Sequence, residues 1–415
     1  MIVEYMAGRH SLNILLAVLA FCLRTNAGEV RYTVRNLVPV STPVNISGGI
    51  GINRHGDVAG SYWTEGFPTR SRLFLYSGSG QLQDVGYPAG GSAIPSAIND
   101  FGQVALRANG PSGDSHLFRW SAETGFEDLG TLPESSVSEV GGINNFGEIL
   151  GSADRSNRID IIFRYTDEAG IEPLGGPPGV GGGAWGINDE GWITGSRNGW
   201  NAFLYRPGLG FTNIGVGVGR SVSDKGTIAG TAGAQVGSLG AFIHRNGTNK
   251  LLGTLGGLNS DAYGINEFDV VVGCAELLPW FPTPVSGFLW TDREGMLDLN
   301  SLIDTNSGWT INEARAINDS GQITGWGYFA GKTRAYRLDP IPPRMSTYRS
   351  ETNVAVSWSP AWPGIVLESS LTLSPPEWQP ISTNGTNSLS LPLSGPSRFF
   401  RLNLDALRGL CCAPE

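Results

Sequence analysis

Gly142-Ile143-Asn144-Asn145-Phe146-Gly147-Glu148-Ile149-Leu150-Gly151 is the stretch on which the reading of this chain turns. Asn144 can hydrogen-bond the backbone two residues ahead and so start a tight turn. Gly147 can take φ > 0, as a short hairpin loop requires. The residues after it alternate as a strand does. The ten residues therefore read as strand, hairpin, strand.

The pattern small–Ile–Asn–x–x–Gly–x–Val/Ile–x–Gly recurs from Gly51, Ala97, Gly186, Ser221, Gly264 and Ala316. Its Asn falls at 53, 99, 144, 188, 266 and 318, with Ser at 223, at spacings of 46, 45, 44, 35, 43 and 52 residues. The copy at Gly264 carries Asp269 in place of the turn Gly, and Asp tolerates φ > 0 better than most residues. Copies near 45 residues apart lie in the range of propeller blades. Two more strand-like runs follow each hairpin. One is centred on an aromatic, as in Leu117-Phe118-Arg119-Trp120 and Ala202-Phe203-Leu204-Tyr205. The other stops at Leu-Gly or a close equivalent, as in Phe126-Glu127-Asp128-Leu129-Gly130. Four strands per unit make a blade.

The seventh unit lacks its fourth strand, because Pro340 follows Leu338 almost at once. A matching strand lies at the other end of the chain, Tyr32-Thr33-Val34-Arg35-Asn36-Leu37. Completing the last blade with the first strand would close a ring and leave no long exposed edge. An open solenoid of the same units is the alternative; the split blade favours the ring. The expected fold is thus all-β: a seven-bladed β-propeller over residues 30–339, closed by the N-terminal strand, and then a smaller module.

Composition agrees. Glycine is 60 of 415 residues, with 25 Pro and 12 Trp, as glycine-rich turns between short strands require. With 28 basic and 37 acidic side chains and no basic cluster, nucleic acid is not an expected partner. Four Cys, one of them in the leader, are too few for a disulfide framework. Residues 1–27 read as a secretory signal: Arg9, the apolar run Leu12–Leu23, and Thr25-Asn26-Ala27 at the cut. That run is too short to span a bilayer, and no later stretch is long and apolar enough for a membrane helix. The expected location is extracellular or at the cell surface.

The repeat resembles the HAF repeats of bacterial proteins held to be extracellular, named for a His-Ala-Phe at the third strand. Ser115-His116-Leu117-Phe118 is the nearest match, and Ala202-Phe203 and Ala241-Phe242 keep only Ala-Phe. The resemblance covers about residues 30 to 339. It implies an extracellular repeat protein and carries over no catalytic residue. Residues 340–404, after Ile341-Pro342-Pro343, show five short alternating runs that fit a small β-sandwich of fibronectin-like type. Trp358-Ser359-Pro360 and Arg398-Phe399-Phe400-Arg401-Leu402 resemble the opening and close of a short module that ends many secreted proteins of environmental bacteria. Residues 405–415, with Cys411 and Cys412, read as a disordered tail.

No catalytic constellation emerges. Each of the four His stands alone, whereas Ser-His-Asp chemistry needs three converging groups. Asp84, Asp128 and Asp298 recur with the repeat, as strand-end residues would. No calcium loop, zinc spacing or phosphate loop is present, and no cofactor or metal is expected. The departures from the repeat are the aromatics Trp63, Trp200, Trp280, Phe281 and Trp326, expected in variable loops between second and third strands, and Trp309, expected between blades. They suit contact with sugar rings or peptide segments. The expectation is a secreted, non-catalytic binding or scaffold protein that meets polysaccharide or an extracellular protein through the variable-loop face. The alternatives are a glycosidase or lyase with acids on that face, and a purely structural cell-surface protein.

Overall fold

The computed structural model describes residues 29–39, 44–64, 70–89, 91–155, 160–174, 182–197, 200–235, 238–279, 283–372, 377–383, 386–392, 398–407 and 409–411. The signal reading of residues 1–27 and the residue Cys412 lie outside them. Among the described residues the chain is strands and two short 3-10 turns, and no helix is long and apolar enough to cross a membrane.

Strand pairing resolves into seven antiparallel four-stranded units among the described residues. Blade two is typical: Ile94–Ile98, Val104–Asn109, Ser115–Ser121 and Gly125–Gly130 pair in order. Blade seven is Trp309–Ile317, Ile323–Phe329 and Lys332–Pro340, and its outer strand is Tyr32–Asn36, in register Tyr32↔Pro340, Val34↔Leu338 and Asn36↔Tyr336. The split blade therefore closes as the sequence implied. The 35-residue spacing between Asn188 and Ser223 also has its cause. One continuous strand, Gly210–Val222, serves as the outer strand of blade four and the inner strand of blade five. The connection between those blades is omitted altogether.

The motif residues each carry a structural duty. Gly147 has φ 76° and Asp269 φ 59°, so the Asp substitution keeps the left-handed turn. The last Gly of the motif leaves room for the aromatic of the third strand. A Cβ at Gly151 would lie 2.6 Å from the Phe163 ring, and one at Gly273 would lie 2.8 Å from Phe288. Those aromatics, from Phe74 to Tyr336, are buried in every blade.

The Asn does more than start its turn. In blade two, Asn99 Oδ1 accepts from the Phe101 and Gln103 amides at 3.1 and 2.9 Å, while Nδ2 donates to the Asn144 carbonyl of the next blade at 3.0 Å. The same inter-blade bond runs from Asn53 to Asn99, Asn144 to Asn188, Asn188 to Ser223, Asn266 to Asn318, and Asn318 back to Asn53 at 2.9 Å. This belt closes the ring a second time. It is interrupted after Ser223, whose hydroxyl is buried without a partner.

The C-terminal module is two three-stranded sheets, Arg344–Arg349, Asn353–Ser359 and Ser388–Pro392 against Gln379–Pro380, Val366–Ser370 and Phe399–Asn403. Val356, Trp358 and Leu367 are buried between them. Arg344–Arg349 is a strand the sequence pattern did not reveal, since all six of its residues are exposed and it has no buried face to generate alternation. The module is tied to the ring through Trp362, buried edge-on to Tyr32 at 5.6 Å.

The disordered reading of 405–415 is corrected over the described part of that segment. Leu407 and Leu410 are buried among Val270, Ile317 and Ile323. Asn266 Nδ2 also donates to the Gly409 carbonyl at 2.8 Å. Two leucines spaced by three residues around a tight turn bury enough apolar surface to hold a segment this short.

Candidate functional site

The described members of the expected aromatic rim lie in strands and a turn. Trp63 lies within the strand Val58–Thr64 and Trp326 within Ile323–Phe329; second strands extend further than their loop-like sequence suggests. Trp63 is 39% exposed. Trp326 is only partly accessible and stands edge-on to Tyr328 at 6.1 Å. Trp309 begins the inner strand of blade seven, stacks on Phe329 at 5.0 Å and packs against the core. Trp200 sits half-buried in the turn before its blade's third strand. Trp280 and Phe281 lie outside the described residues. The recurring Asp84 and Asp128 pair with Arg72 and His116, both at 2.8 Å. Asp298 accepts from the Asn300 amide at 2.8 Å. These are strand-end duties.

The concave feature is at the axis. Every inner strand carries a register shift immediately before its motif. The shifts lie between Gly49/Gly51, Pro95/Ala97, Val140/Ile143, Ala184/Gly186, Gly219/Ser221, Ala262/Gly264 and Ala314/Ala316. A bulge re-aims the extra residue out of the pleat. Here the extra residues are Ile50, Ser96, Gly141, Trp185, Arg220, Tyr263 and Arg315, and all of them line one axial chamber of about 590 Å³. A collar of Ile52, Ile98, Ile143, Ile187, Ile265 and Ile317 floors it and separates it from a smaller depression of about 210 Å³ on the hairpin face.

The chamber is asymmetric. Blades one to three present Ile50, Ser96 and Gly141, and Ser96 turns its hydroxyl to the Val140 carbonyl at 2.6 Å. Blades four to seven present a continuous ladder of rings and guanidiniums. Arg220 lies 5.0 Å from the Trp185 ring and 6.0 Å from Tyr263, and Arg315 lies 4.6 Å from Tyr263. Arg107 and Glu139 complete the charged lining. Behind Arg315, Glu313 forms an ion pair with it, and burial pushes the Glu313 carboxyl above its usual range. Burial likewise pushes the Cys274 thiol up to about 12, so it stays protonated and unreactive near neutrality. Its neighbour Tyr263, 3.7 Å away, is raised by the same cause. Asp261 accepts from the Thr231 hydroxyl at 2.6 Å.

The hairpin face carries its own belt. Asp100, Asp189, Asp224, Asp319 and Glu267 stand one residue after the motif Asn, or after Ser223 in its place. Each accepts the backbone N–H of the preceding blade or donates its own to the next, as Asp189 N–H does to Asp224 at 3.0 Å. Burial raises Asp224 and Glu267. These acids are spent on holding blades together. Among the described residues no group of three or more His, Cys, Asp or Glu is placed to hold a metal ion.

Sequence reasoning missed the chamber because the rim drew attention to aromatics in loops. The signal was present: the residue three before each motif Asn or Ser varies from Gly to Arg to Trp directly before the recurring start of the motif.

No known protein family matches the chain, and no curated protein matches it. Solved structures with a similar arrangement do exist. The β-propeller domain of the Trilobed protease from Pyrococcus furiosus is 10% identical, with TM-score 0.36, over 85% of this chain and 99% of that one. The gluconolactonase XC5397 from Xanthomonas campestris is 11% identical, with TM-score 0.40, over 76% and 92%. A puromycin-hydrolyzing peptidase of Mycobacterium tuberculosis is 10% identical, with TM-score 0.46, over 81% and 62%. Likeness at this level concerns fold and transfers no chemistry. The expectation of a non-catalytic scaffold acting through its variable-loop face is corrected. In this chain the polar concavity lies on the axis, and of the aromatics expected in loops Trp63, Trp309 and Trp326 lie in strands. The chain is a β-propeller.

Proposed function

We propose that this protein takes a small organic molecule into its axial chamber. The observation that carries the reading is the bulge repeated in every inner strand, which puts a residue that differs from blade to blade into the cavity. Four contiguous blades supply Trp185, Arg220, Tyr263 and Arg315, a mixture of apolar faces and polar ends typical of small-molecule sites. A chamber of about 590 Å³ lies in the usual range for such ligands. A thermal-shift screen of metabolite-sized compounds tests it. Hits should vanish in Trp185→Ala and persist in Trp63→Ala; hits indifferent to Trp185→Ala would refute the site.

A second reading adds hydrolysis of the bound molecule. It is favoured by a carboxylate, Glu139, lining the same cavity as three arginines, groups suited to activating water and to stabilising an oxyanion. Ester and lactone substrates assayed with wild type and Glu139→Gln decide it: turnover that the variant retains excludes Glu139 as the base.

Kinship with HAF-repeat proteins and export through residues 1–27 belong to the same proposal. The repeat and the leader pattern support them. Mass spectrometry of protein recovered from the medium or periplasm should find an N-terminus near Gly28, and an intact Met1 would refute export.

A further inference from the structure

We infer that the chamber selects a planar carboxylate or comparable anion, an inference that rests on the reading of the chamber as the site. The chain as a whole is acidic, with net charge −9. Its axial cavity runs against that balance, with Arg107, Arg220 and Arg315 facing one lining carboxylate, Glu139. Arg315 is offset by Glu313 behind it. Among the described residues no ion pair joins Arg220 or Arg107 to a carboxylate.

Arg220 is the anchor. Its guanidinium is held between the Trp185 and Tyr263 rings, which fixes its plane without neutralising its charge. Its Nε is buried and makes no hydrogen bond, and the indole Nε1 of Trp185 beside it is in the same condition. A planar guanidinium with a fixed orientation suits two-point contact with a carboxylate, which a lysine cannot reproduce. The stacked rings on either side, with the apolar wall of Ile50 and the isoleucine collar opposite, suit a flat apolar body behind the acid.

The experiment is calorimetric titration of the full chain with naphthoate and benzoate, with the neutral naphthamide and benzamide, and with the cation benzamidine. Naphthoate should bind at least tenfold more tightly than naphthamide. Arg220→Gln should bring naphthoate down to the level of the amide, and Arg220→Lys, which keeps the charge but not the plane, should fall between. Each variant is first checked for wild-type circular dichroism and melting. Amide or amidine bound as tightly as the acid, with binding lost in Trp185→Ala, would overturn the anion preference and leave the chamber standing as the site. Naphthoate affinity unchanged in Arg220→Gln would overturn the inference by placing the acid elsewhere. No heat from any probe up to about 5 mM, a threshold near 3 kcal/mol of binding free energy, would overturn both readings.

Discussion

Asn99→Ala tests the idea that the repeat is held as a ring by its asparagines. Asn99 is 4% exposed. Its side chain accepts from two amides of its own hairpin and donates to the Asn144 carbonyl and to Gln103 Oε1. A net hydrogen bond contributes about 1 kcal/mol, and buried groups left unpaired cost 1–3 kcal/mol each. Two bonds lie in a turn where water can replace them, and the inter-blade bond is buried. The expected loss is therefore about 2–4 kcal/mol. Urea unfolding followed by tryptophan fluorescence and by far-ultraviolet dichroism measures it, and coincident transitions are needed to treat the loss as a single free energy. Phe101→Ala is the control: it sits in the same turn but is 71% exposed and should change stability by less than about 0.5 kcal/mol. The reverse test uses the gap in the belt. Ser223→Asn supplies the missing amide toward Asn266 and should stabilise by about 1 kcal/mol. If Asn99→Ala and Phe101→Ala unfold at the same urea concentration, the belt is incidental to the ring and the reasoning fails.

Other perturbations follow from the packing. Removing residues 405–415 exposes the sites covered by Leu407 and Leu410 and should cost about 3–6 kcal/mol at the usual 1.5–3 kcal/mol per buried leucine; an unchanged melting temperature would show that the segment adds nothing. Gly195→Ala places a Cβ 2.8 Å from Ala184 Cα and 2.9 Å from the Phe203 ring. It should destabilise by about 1–3 kcal/mol through overpacking, read as a lowered urea midpoint. Glu313 has its pKa raised by burial, so the folded state holds its proton more tightly than the unfolded chain does. Its contribution is fully present below the ordinary glutamate range and is lost as pH rises through the raised value. Stability of Glu313→Gln relative to wild type should therefore increase as pH rises from about 4.5, measured by urea midpoints across pH; a difference independent of pH would refute this.

Much of the architecture was legible because the repeat states the same local physics many times over. The hairpin glycines, the Asn and the aromatic third strand mark blade after blade, and the truncated last unit names its missing partner at Tyr32–Asn36. The long exposed strand Arg344–Arg349 was not legible, since a strand with no buried face shows no alternation. The segment after Leu404 was misread for the opposite reason. Its two buried leucines find their pocket only on blades six and seven, far away in sequence, and nothing local announces that contact.

The chamber marks the same boundary. Sequence alone determined the unit, its count and its order, because turn chemistry and strand alternation act between residues a few positions apart. It also contained the variable position before each motif Asn. Only the tertiary structure decided what that position means. A bulge in each strand turns those side chains inward, and closing the ring brings Trp185, Arg220, Tyr263 and Arg315 together from four blades. That convergence depends on distance in space, which separations of roughly 35 to 52 residues along the chain do not encode.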